Sequence, residues 1–81
     1  MDDATLKQTV LAALCRIAPE VEPDMIAPRQ RLRDQVDLDS MDWLNFLVGL
    51  HAALGVEIPE TDYARLDTLE ALLSYLRAKL A

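Results

Sequence analysis

The run Val36-Asp37-Leu38-Asp39-Ser40-Met41-Asp42 concentrates the groups of this chain that could do chemistry. A hydroxyl set among carboxylates, directly before an apolar-rich stretch, has three readings. As a capping pair, Asp39 and Ser40 would accept hydrogen bonds from the first free N–H groups of a helix. As an attachment point, Ser40 would place a phosphate ester at a helix N-terminus, where unpaired N–H groups and the macrodipole favour an anion. As a hydrolytic nucleophile it would need a base within hydrogen-bond reach. The only histidine, His51, lies on the same apolar stretch, roughly 16 Å further along if that stretch is helical. No glycine-rich elbow accompanies the serine, so intrinsic hydrolysis is not expected.

The neighbouring carboxylates, Asp34, Asp37, Asp39 and Asp42, lack the spacing and central glycine of an EF-hand loop. They read as a solvated acidic patch, suited to a basic partner or to a divalent cation that a partner carries. Cys15 stands alone, which rules out an internal disulfide and a cysteine-based metal site.

The elements that would position Ser40 are helical. Asp2 or Asp3 caps a first helix over about residues 4–18, with Leu6, Val10, Ala13, Leu14 and Ile17 in one stripe. Cys15 falls roughly opposite that stripe. Pro19 ends the helix, and Pro23 and Pro28 keep the following segment from continuing it. A crossing loop then runs to Leu38, which is long for so small a domain. Val21, Met25, Ile26, Leu32 and Val36 are expected to tack it down, with a short turn near Pro28. Arg29, Arg31 and Arg33 read as a solvated basic face.

A second helix should open at Asp39-Ser40 and stop at Gly55. Val56 to Pro59 reads as an extended link, followed by a brief third helix over residues 60–65 with Tyr63 and Leu66 turned inward. Thr68 caps a last helix striped by Leu69, Leu72, Leu73, Leu76 and Leu80. No segment alternates with period two, so no sheet is expected. The predicted fold is all-α: a small three- to four-helix bundle with a long loop between its first and second helices.

The second helix carries more apolar surface than a surface helix of so small a bundle can bury. Trp43, Leu47, Leu50 and Leu54 group on one side, while Met41, Leu44 and Val48 continue the arc. Either the helix is central, or one edge of the arc is a partner surface.

Composition narrows the function classes. Eighty-one residues make one domain, and a hydrophobic fraction of 52% supplies an interior, which argues against disorder. A formal charge of −6 argues against nucleic acid, where binding depends on Lys and Arg displacing counterions. Met1-Asp2-Asp3 does not begin a secretory signal, and no apolar run is long enough to span a bilayer. A cytoplasmic protein is the expectation.

Taken in order, these pieces resemble a known family. A first helix, a long loop, Asp39-Ser40-Met41 opening a second helix, Ile58-Pro59, a short third helix and Asp67-Thr68-Leu69 opening the last are similar to the acyl carrier proteins of fatty acid and polyketide biosynthesis. The resemblance implies a single carrier domain over residues 1–81. It implies that a phosphopantetheinyl transferase uses Ser40 to attack coenzyme A, leaving a covalent 4′-phosphopantetheine arm whose thiol carries acyl groups between pathway enzymes. It makes Ser40 the attachment residue, and Asp39 and Met41 parts of the recognition motif. The carrier would be acted on by separate enzymes rather than being one, and a monomer is expected, with weak self-association through the apolar arc left open.

The chain also departs from the family. Asp37 stands where members often have glycine, and Asn45, His51, Ala52 and Ala53 stand where the second helix is usually rich in glutamate. Partner recognition is therefore expected to lean on Met41, Leu44 and Val48, beside Asp42, more than on charge. Trp43 occupies a position near which smaller residues line an acyl pocket. It is expected to be a core residue, with the sharper reading that its indole fills part of that pocket. Two alternatives stay open: an aminoacyl or peptidyl carrier, and an unloaded helical interaction module in which Asp39-Ser40 is only a cap.

Overall fold

A computed structural model describes residues 2–80. Its helices are α1 (Asp3–Ile17), a one-turn α2 (Leu32–Gln35), α3 (Ser40–Leu54) and α4 (Leu69–Leu80). Two 3-10 segments, Pro23–Met25 and Glu60–Arg65, lie in the connections. The protein is an all-α bundle, as its periodicities predict; among the described residues the only extended pairing is an isolated bridge between Arg31 and Thr68.

Each long helix begins where a short polar side chain can accept from a free N–H. Asp2 accepts from the Thr5 amide at 2.8 Å, Asp39 from the Asp42 amide at 2.7 Å, and Thr68 from the Ala71 amide at 3.0 Å. Helix α3 ends at Gly55, whose φ of 66° is in the left-handed region that a side chain would strain. His51 locks this end: its Nδ1 lies 2.8 Å from the Val56 carbonyl, an acceptor, so the ring nitrogen must donate.

Leu6, Val10, Leu11 and Leu14 of α1 face Trp43, Phe46, Leu47 and Leu50 of α3 and Leu69, Leu72 and Leu76 of α4, all within one buried cluster. Leu66 is buried with them and Tyr63 packs against them, as expected for the short third helix. Three expectations need correction. Met25 is 75% exposed rather than an anchor, because the 3-10 turn at Pro23 directs it away from the bundle. Leu80 reaches the last turn of α4 beyond the packed length and is also exposed. Phe46, which the stripe of Trp43, Leu47, Leu50 and Leu54 omits, is fully buried, while Leu54 is only partly so.

The long crossing loop is tied to the start of α4. The Leu32 amide donates to the Asp67 carbonyl and the Glu70 amide to the Pro28 carbonyl, at 2.8 and 2.9 Å. Arg29 pairs with Glu70 at 3.0 Å and Arg31 with Asp67 at 3.7 Å. Inside the loop, Gln35 acts as a clip. Its Oε1 accepts from the Ala27 amide at 2.7 Å, and its Nε2 donates to the carbonyls of Ala27 and Gln30 at 2.9 and 3.0 Å. Part of the loop's polar backbone is thus satisfied from within and part by the start of α4, while Leu32 and Val36 are buried. Gln35→Ala should cost about 1–3 kcal/mol, chiefly from two partly buried hydrogen bonds at roughly 0.5–1.5 kcal/mol each, the third being exposed. Urea unfolding followed by circular dichroism would measure it, and a loss below ~0.5 kcal/mol would remove the clip from the account.

The 3-10 segment Glu60–Arg65 is held on α4 by Tyr75, whose hydroxyl donates to Asp62 at 2.7 Å. Desolvation, and then that bond to a carboxylate, push the Tyr75 phenol above its ordinary pKa.

Candidate functional site

Ser40 is the first residue of α3, and capping falls to its neighbour. Asp39 sits in extended backbone and takes the Asp42 amide, so the Ser40 hydroxyl makes no hydrogen bond among the described residues and is exposed. The two roles that the sequence left superimposed on Asp39-Ser40 are thus separated: one side chain holds the helix, the other is free.

The position of Ser40 around α3 matters as much as its exposure. At about 100° per residue, Ser40 stands roughly 60° from Trp43 and roughly 40° from Leu44. Trp43 belongs to the buried arc, with Phe46, Leu47 and Leu50. Leu44, Val48 and Met41 form the other edge, exposed by 38%, 54% and 64%. Ser40 therefore lies on the seam between the core side of the helix and an apolar outer strip. The structure resolves the overlong apolar arc into these two parts, and among the described residues the outer strip is left partly uncovered.

The electrostatics at this end are mixed. Asp42 sits in the first turn of α3, where a carboxylate is favoured by the dipole. Asp37 and Asp39 are exposed beside it. No non-glycine described residue has positive φ, so Asp37 occupies a backbone conformation open to any side chain and the family's glycine is not required there. Among the described residues no three His, Cys, Asp or Glu side chains come together as a metal-binding group.

One neighbour of the site was not singled out by sequence. Arg33 donates from Nε to the carbonyl of Leu38, at 3.3 Å, and so contacts the segment leading into Ser40. The alternation of Arg29, Arg31 and Arg33 was visible, but not which of them reaches the segment before the serine. Arg29 and Arg31 face carboxylates near α4.

Trp43 is 8% exposed and packs on Phe46, ring centroids 5.3 Å apart and tilted by 44°. It is a core residue, as expected, with one edge reaching an open recess between α2 and the Glu60–Arg65 segment. His51, at the far end of α3, is occupied with the Val56 carbonyl and is no partner for Ser40.

Residues 8–76 match the protein family described as the phosphopantetheine attachment site. The chain belongs to that family. Among its relatives are the meromycolate extension acyl carrier proteins of Mycolicibacterium aurum, 31% identical over 91% of this chain and 79% of that one, and of Mycolicibacterium smegmatis, 30% identical over 91% and 78%. The acyl carrier protein of Thermosynechococcus vestitus is 28% identical over 75% of each chain. Among solved structures, the acyl carrier protein from Enterococcus faecalis superposes with a TM-score of 0.66 over 88% of this chain and 98% of that chain. At 22% identity, that likeness concerns the fold alone. The general function is that of an acyl-carrier-type protein.

Proposed function

We propose that this carrier holds acyl groups as thioesters on a 4′-phosphopantetheine arm attached to Ser40, in fatty acid, specialised lipid or polyketide biosynthesis. The observation that carries the reading is the Ser40 hydroxyl: exposed, unbonded, and at a helix N-terminus able to stabilise the phosphodiester formed on it. On a phosphopantetheinyl transferase, Oγ forms a new bond to phosphorus of coenzyme A, the nucleotide half leaves, and the hydroxyl proton passes to the transferase. The attached arm supplies the thiol that forms the thioester.

Asp39, Met41 and Asp42 would present the serine, and Leu44 and Val48 would extend the surface seen by the transferase and by acyl-loading and acyl-transferring enzymes. The names of the mycobacterial relatives support a lipid-building cargo over an aminoacyl one.

Incubation with coenzyme A, magnesium and a broad-specificity transferase should add one arm to the intact mass, and Ser40→Ala should add none. Because the hydroxyl holds nothing in the fold, that variant should unfold within about 0.5 kcal/mol of the parent. No mass gain in the folded parent with several active transferases would defeat the proposal.

A further inference from the structure

The recess beside Trp43 carries an inference about cargo, which rests on the carrier reading of Ser40. It has a volume of about 520 Å³ and is walled by Arg31, Arg33 and Asp34 on one side, Trp43 on α3, and Tyr63 and Asp67 on the other. Its place is set by the site. Trp43 lies one turn along α3 from Ser40, and Arg33 is fixed by the Leu38 carbonyl just before it.

Its chemistry differs from that of an alkyl-binding cavity. The inner side of α3 is already filled by Phe46 and Leu47, exposed by 0% and 2%, with Trp43 packed on Phe46. What remains beside the indole is a mixed wall, the Arg31 and Arg33 donors and the Asp34 and Asp67 carboxylates beside Tyr63 and Ala64. Among the described residues Arg33 has no carboxylate within ion-pair distance, and the Arg31–Asp67 contact is long at 3.7 Å between side chains 69% and 48% exposed. These guanidinium N–H groups still have water to exchange for a ligand. An alkyl chain laid against them would strip that water and return no hydrogen bond. A chain bearing oxygen would accept charge-assisted hydrogen bonds, while Trp43 and Tyr63 cover its carbons.

We propose that this recess seats short acyl groups that carry a neutral oxygen acceptor beyond the thioester, such as a 3-oxo group, and that it rejects long alkyl chains. Arg33 is the principal donor and Trp43 the floor.

The full carrier, loaded by the transferase from 3-oxobutanoyl, butanoyl or octanoyl coenzyme A, gives the test by two-dimensional ¹H–¹⁵N spectra. The first two cargoes differ only at C3, where a carbonyl oxygen replaces two hydrogens. The 3-oxobutanoyl form should shift the indole N–H of Trp43, the sole tryptophan, and the amides of residues 31–34 and 63–67. The butanoyl form should give less than half that shift, and Arg33→Gln should lose most of the difference while still accepting the arm. Equal shifts from the two four-carbon cargoes would overturn the proposal. So would an octanoyl chain that moved the same resonances further and raised the unfolding temperature. If intact mass shows no arm on Ser40, the carrier reading fails as well; an arm with equal shifts removes the cargo proposal alone.

Discussion

Replacing Phe46 with alanine is expected to destabilise the protein by about 3–5 kcal/mol, the cost of emptying a fully buried aromatic site. Phe46 is completely covered, contacts the Trp43 ring, and sits in the cluster shared by α1, α3 and α4. A domain of this length has roughly 4–12 kcal/mol of total stability, so the variant should lose a large part of it. The unfolding temperature should fall by ~12 °C or more, at about 4–8 °C per kcal/mol for a domain of this size. Phe46→Leu, which keeps most of the volume, should fall between variant and parent. Urea titration followed by circular dichroism measures the loss, and a value under ~1.5 kcal/mol would mean that the three helices do not share this core.

Introducing charge on the outer strip should have the opposite profile: a large effect on recognition and almost none on folding. Val48→Asp and Leu44→Asp change exposed side chains, so their stabilities should stay within about 0.5 kcal/mol of the parent. Arm transfer should nevertheless slow by more than ~10-fold in kcat/KM, because an apolar anchor at an interface contributes on the order of 2 kcal/mol. Asp42 is the only carboxylate on α3, so the parent reaction should respond weakly to added salt, unlike an encounter steered by many charges. Rates for both variants within twofold of the parent would move the recognition surface away from this strip.

These two expectations concern one helix, and its sequence shows why they had to be told apart by structure. Met41, Leu44 and Val48 are as apolar as Leu47 and Leu50. Periodicity places all of them around one axis, but it does not say which neighbours cover which side. The packing of α1 and α4 makes that choice, and it adds Phe46 to the covered set and leaves Met41 outside. Met25 makes the same point in the loop, where an apolar residue without a periodic frame turned out exposed.

By itself the sequence determined the long helices α1, α3 and α4, their starts and their stops, because those depend on local interactions; the one-turn α2 was read as loop. Asp2 and Thr68 cap amides three residues away, Gly55 accepts a left-handed turn, and Pro19 blocks continuation. It also placed the candidate serine at the head of α3, through the order of Asp39-Ser40-Met41 and the elements around it. Tertiary structure alone decided three things: that Asp39 takes the capping bond and frees the Ser40 hydroxyl, that Gln35 clips the loop, and that Arg33, Trp43 and Tyr63 wall one recess. Capping by either neighbour is locally feasible, so backbone geometry must choose between them. The clip joins residues five and eight apart that no helical period brings together, and the recess depends on residues distant along the chain, whose meeting is fixed only when the helices pack.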